Sequence, residues 1–228
     1  MRKKGSSKNK KYGLIIIPIV IIIGIAIAIS SQNNVDTPTS KLQGPWSDIH
    51  GVGMFLSGND DTLYLATHQG LFEKTNAGWG HVGNDNADLM GFSMNHETNT
   101  MYSSGHPKTG GNLGFRMSED NGDSWNVISK VKDTPVDFHA MTASQAQKGL
   151  IYGSPGGGYE LFVTSDDGVS WSSPDIPDQI ISLAADPLDP NKVYAGTKSG
   201  LYVSNDHGKQ WQQVNSDIER GVITGIGF

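Results

Sequence analysis

From residue 45 onward the apolar positions fall in short runs broken by Gly, Asn, Asp and Ser, and no useful stretch repeats at helical spacing. The same order recurs four times. An apolar strand comes first, as in His50–Phe55 and Ile180–Ala184. A second carries a Tyr: Leu63-Tyr64, Met101-Tyr102, Ile151-Tyr152 and Val193-Tyr194. A third ends in an aromatic at Phe72, Phe115, Phe162 or Tyr202, and a turn then leads to a Trp that opens a fourth. Upstream, Leu14–Ile29 is an unbroken apolar run.

The turn before each Trp is patterned. Ser118-x-Asp120-x-Gly122-x-x-Trp125, Thr164-x-Asp166-x-Gly168-x-x-Trp171 and Ser204-x-Asp206-x-Gly208-x-x-Trp211 are three copies; Thr75–Trp79 is a worn fourth without the Asp. Asp accepts turn amides, Gly supplies a positive φ, and Trp packs between sheets. The Trp positions 79, 125, 171 and 211 are 46, 46 and 40 residues apart, the period of a four-stranded propeller blade. The expected fold is all-β, a propeller of about four four-stranded antiparallel blades preceded by one transmembrane helix. Repetition once per blade marks the turn residues as structural rather than catalytic.

The pattern resembles the Asp-box, or BNR, repeat of sialidases, sortilin-type receptors and photosystem II assembly factors. Ile49-His50-Gly51, Ala66-Thr67-His68, Ser104-Gly105-His106-Pro107 and Asp137-Phe138-His139-Ala140 are similar to bacterial and archaeal glycosylhydrolase-like members of that group. The resemblance implies more blades than four. Gly221–Phe228 reads as the first strand of a fifth unit, so further chain or a second copy is expected to complete the ring. Sialidase activity is not expected, because a three-Arg clamp is needed and only Arg116 and Arg220 lie outside the N-terminal tail.

Charge divides the chain. Six of 17 basic residues lie in the first 11, and all 23 acidic residues come later. Residues 1–11 therefore read as a basic cytoplasmic tail, 12–30 as a transmembrane anchor, 31–44 as a flexible linker and 45–228 as the propeller outside the membrane. A cleaved signal peptide ending near Ser30 is the alternative, and it also exports the domain. The acidic exported part disfavours nucleic acid. There is no Cys, which excludes disulfides and thiolate chemistry.

Aligning the units on their Tyr residues places an Asp at the start of each first strand: Asp48, Asp88, Asp137 and Asp178. His50 and His139 follow two positions later, on the same side of the strand. His68 and His106 lie four residues after Tyr64 and Tyr102; Lys198 takes that place in the fourth unit. In a propeller these ends meet on one axial face, whereas His81, His96 and His207 fall elsewhere. The eight residues could be loop staples, a protein- or glycan-binding face, or a glycosidase site with two placed carboxylates. Two or three imidazoles beside carboxylates could hold Zn²⁺ or Cu²⁺, but no His pair has a recurrent ligand spacing, so no cofactor is assigned. The leading expectation is a binding or assembly module; the rival is a glycoside hydrolase.

Overall fold

The computed structural model describes residues 48–55, 62–214 and 221–228. The tail, anchor and linker expected over residues 1–44 lie outside the described residues. Among the described residues no helix is long and apolar enough to cross a membrane.

Four antiparallel sheets follow one another along the chain. The first comprises β1 (Ile49–Phe55), β2 (Thr62–Thr67), β3 (Gly70–Thr75) and β4 (Gly78–His81); the second β5 (Asp88–Asn95), β6 (Thr100–His106), β7 (Phe115–Ser118) and β8 (Asn126–Ser129). The third comprises β9 (Phe138–Ala143), β10 (Ile151–Pro155) and β11 (Phe162–Thr164); the fourth β12 (Ile180–Ala185), β13 (Val193–Thr197), β14 (Gly200–Ser204) and β15 (Gln212–Gln213). Each sheet is a meander, and the first strands β1, β5, β9 and β12 touch in succession, as the innermost strands of propeller blades do.

The third blade departs from the expected four strands. Its last strand is reduced to one bridge, in which Val163 and Ser172 exchange two hydrogen bonds of 2.9 Å. Pro174 and Pro177 follow at once and carry no N–H with which to continue a ladder.

The core lies between blades. Leu71, Phe92, Met101 and Trp125 pack between the first two blades, and Tyr102, Phe115, Phe138 and Trp171 between the second and third. Tyr152, Leu161, Val193 and Trp211 pack between the third and fourth. Each Asp-box Trp thus packs toward the blade before its own.

The Asp-boxes are tied alike. Asp120 Oδ1 accepts from Ser118 Oγ at 2.7 Å and from the Ser124 amide at 2.9 Å, while the Gly122 amide donates to Ser118 Oγ at 2.8 Å. Thr164, Asp166, Gly168 and Ser170 repeat this at 2.7, 2.9 and 3.0 Å. Ser204, Asp206, Gly208 and Gln210 do so at 2.8 Å throughout.

Residues 221–228 form no strand. The Ile223 amide donates to Thr197 O at 3.0 Å, and the Phe228 ring lies 5.6 Å from Tyr194. The segment runs beside β13 much as Val136–Phe138 run beside Ser104 of β6, whose hydroxyl donates to Val136 O and accepts the Phe138 amide.

Candidate functional site

Each innermost strand carries one extra residue near its start. The β1–β2 register slips at His50, β5–β6 at Leu89–Met90, β9–β10 at His139 and β12–β13 at Ile181. A bulge re-aims the side chain that it adds. His50, Met90, His139 and Ile181 all line one cavity of about 280 Å³ at this end of the axis. Phe92, Met141 and Leu183 line both this cavity and a larger apolar one of about 610 Å³. The next residue is small in every blade: Gly51, Gly91, Ala140 and Ser182. A Cβ on Gly51 would stand 2.8 Å from Phe92, and one on Gly91 2.7 Å from Phe138 O, so the spacing of the inner strands requires glycine at both.

Two groups of imidazoles and carboxylates form at this mouth. In the first, His68 Nδ1 donates to Asp88 Oδ2 at 2.6 Å, joining the end of β2 to the start of the next blade. His68 Nε2 lies 3.1 Å from His50 Nε2 and 3.3 Å from Asp48 Oδ2. The two rings meet edge to face at 4.4 Å, and His50 Nε2 is 3.8 Å from Asp88 Oδ1. In the second group, His106 Nε2 and His139 Nε2 stand 3.1 and 2.7 Å from the same oxygen, Asp137 Oδ2. Again the β6 histidine reaches the next blade's aspartate. His106 Nδ1 donates to Gly111 O at 3.0 Å.

The electrostatics differ between the groups. Burial, and then the neighbouring His68, push the His50 pKa below the ordinary imidazole value. The hydrogen bond to Asp137 raises that of His139. Each is also sensitive to the other group, His50 to His139 and His139 to Asp88.

Seven of the eight expected residues enter these groups. Asp178 does not; it accepts the Ser199 amide at 3.0 Å and staples the β13–β14 turn, and hydrogen bonding from the Ser199 side chain, then from the Gln179 amide, lowers its pKa. The position four after Tyr152 is Gly156, so no imidazole reaches Asp178 from the third blade. His81, His96 and His207 lie on β4, on the β5–β6 turn and in the third Asp-box. The Gly111 carbonyl that orients His106 belongs to a Gly-Gly turn whose role no sequence spacing signals. Arg116 is buried, paired with Asp85 and set 5.2 Å from Trp125, so it holds the second blade together rather than facing the mouth.

Residues 114–225 match the family model described as sortilin, neurotensin receptor 3. No curated protein matches the chain in sequence. Among solved structures, the GH74 xyloglucanase from Xanthomonas campestris superposes with a TM-score of 0.58 at 17% identity, over 78% of this chain and 32% of that one. An ancestral GH74 enzyme gives 0.55 at 19% identity, over 76% and 25%. YCF48 bound to D1 peptide gives 0.51 at 16%, over 72% and 52%. The chain therefore spans between a quarter and about half of these proteins' lengths. At such identities the likeness is one of fold. With its three tied Asp-boxes, its successive blades and the match of residues 114–225 to the sortilin model, the chain is similar to the Asp-box, or BNR-repeat, β-propellers.

Proposed function

We propose that this chain is a binding or assembly module displayed outside a membrane by residues 12–30, with the His/Asp mouth as its ligand face. One observation carries the reading: bulges and strand ends from three blades bring four imidazoles and three aspartates to one axial opening. The binding of a peptide by YCF48, a protein of similar fold, supports a protein ligand. Asp88 and Asp137 each spend an oxygen on imidazoles, which disfavours them as a free acid–base pair for glycoside hydrolysis.

The test is an array of peptides and glycans probed with the full chain, beside turnover of aryl-glycosides. Binding that weakens at least about tenfold in a His68→Ala/His106→Ala chain, without turnover, is expected. Hydrolysis abolished by Asp88→Asn or Asp137→Asn would make it an enzyme instead. Protease added to intact cells or spheroplasts should remove the propeller domain; protection would overturn the display outside the membrane.

A further inference from the structure

The two groups share an arrangement that hydrogen bonding within the protein does not satisfy while the imidazoles are neutral. In each, one histidine has its Nδ1 proton committed, His68 to the Asp88 carboxylate and His106 to the Gly111 carbonyl. Neither acceptor has a proton to give, so Nδ1–H must be the donor in both. In the neutral ring Nε2 is then a bare lone pair. Yet Nε2 of His68 faces Asp48 Oδ2 at 3.3 Å, and Nε2 of His106 faces Asp137 Oδ2 at 3.1 Å. Lone pair against carboxylate repels unless a second ring proton or a metal ion sits between them.

A second imidazole nitrogen converges on each of these contacts. His50 Nε2 is 3.1 Å from His68 Nε2, and His139 Nε2 is 2.7 Å from Asp137 Oδ2. Two nitrogens on one tetrahedral ion, each at about 2.0–2.1 Å, stand about 3.3 Å apart. The spacing between the His50 and His68 nitrogens is close to that. The remaining carboxylate oxygens agree: Asp88 Oδ1 and Asp137 Oδ1 are buried without a hydrogen-bond partner. Asp137 itself is only 9% exposed, an expensive place to leave one carboxylate oxygen without a partner.

We propose that the mouth holds divalent transition-metal ions at two neighbouring sites, one built on His106, Asp137 and His139 and the other on His50 and His68 with Asp48 or Asp88. The proposal rests on the mouth being the ligand face and gives that face its chemistry. Two imidazoles and a carboxylate suit Zn²⁺ or Cu²⁺. Without a thiolate the site does not select Cu(I), and two oxygens are too few for Ca²⁺ or Mg²⁺. The Asp88–His68 and Gly111–His106 bonds orient the ligating rings, as acceptors behind metal-bound imidazoles do. The side chains of His106 and His139 are 39% and 44% exposed, which leaves a coordination position open to water or to a carboxylate or imidazole of a partner.

The experiment titrates the chelator-stripped, tag-free full-length chain with ZnCl₂ and CuCl₂ by calorimetry, with MgCl₂ as control. About two ions per chain, bound at about 1 μM or tighter, are expected, with no saturable heat from Mg²⁺. Either His68→Ala or His106→Ala, both at half-buried rings, should remove about one ion, and His96→Ala should remove none. Cu²⁺ electron paramagnetic resonance should show coupling to imidazole nitrogen that disappears in the double variant. The proposal is overturned if the folded wild type shows no saturable binding below about 100 μM, or if the double variant binds as the wild type does. Capture of a peptide or glycan by the stripped chain, unchanged by added metal, would overturn the metal and keep the binding module. Metal binding by a chain that captures neither would uphold the sites and overturn the module.

Discussion

Tyr102, on the second strand of its blade, donates its phenol proton to Asp167 Oδ1, 2.8 Å away in the Asp-box of the next blade. Tyr152 stands in the same relation to His207, at 3.5 Å from Nδ1. The residue after the box Asp is therefore an interblade anchor. It takes a positive φ in all three boxes: 59° at Asn121, 55° at Asp167 and 62° at His207. Tyr102→Phe is expected to cost about 1.5–3 kcal/mol, the usual range for a hydrogen bond to a charged group. Urea unfolding of Tyr102→Phe, Asp167→Ala and the double variant measures the coupling. Fully additive effects would show that the bond contributes nothing.

The box glycine has two reasons to be glycine. A Cβ on Gly168, whose φ is 87°, would stand 2.3 Å from the Phe115 ring of the preceding blade. Gly110 has a similar φ of 85° with nothing within 4 Å. Gly110→Ala should therefore cost only the backbone strain, about 1–3 kcal/mol, whereas Gly168→Ala adds an overpacking penalty of about 1–3 kcal/mol more. Equal losses in denaturant titrations would remove the interblade contact from the account.

The box tryptophans should differ among themselves. Trp171 Nε1 donates to Gly168 O at 2.9 Å and to Ser129 Oγ of the preceding blade at 3.0 Å, and its ring lies 5.0 and 5.5 Å from Phe115 and Phe138. Trp211 makes the Gly208 bond at 3.0 Å. Trp171→Ala is expected to cost about 3–5 kcal/mol and Trp211→Ala less, read from thermal unfolding of the two variants side by side.

Acid should loosen the boxes in a defined range. Ser124 holds the Asp120 carboxyl at about 2, and Ser170 does the same for Asp166, also at about 2. A carboxylate depressed in the folded state stabilises the fold above its unfolded value, near 3.8, and loses that contribution as pH falls through the folded value. Wild-type stability should thus decline from about pH 4 to about pH 2. Asp166→Asn should be the less stable chain at neutral pH, with the gap to wild type closing across that range. A gap independent of pH would show that the carboxylate charge is not what the turn holds.

The propeller was legible because its determinants are local. A Ser/Thr-x-Asp-x-Gly turn closes through atoms no more than four residues apart, as Asp120 with Ser118 and Ser124 shows, so spacing alone identifies it. The same locality made Asp48, Asp88, Asp137 and Asp178 recognisable as strand starts. Their partners were not recognisable, because each is chosen by how one blade lies against the next. His68 meets Asp88 and His106 meets Asp137 across blade boundaries, over 20 and 31 positions, at distances set by close packing at Gly51 and Gly91. The bulges that turn His50 and His139 into the axial cavity are likewise register slips between paired strands, which a single strand's sequence does not contain. Asp178 shows the converse: it has the same strand-start position as the others, but with Gly156 in the preceding blade it becomes a turn staple. Sequence by itself determined the repeat, the turn chemistry and the candidate residues, all consequences of short-range hydrogen bonding and alternation. Only the tertiary structure decided which imidazole faces which carboxylate, because that follows from packing between blades.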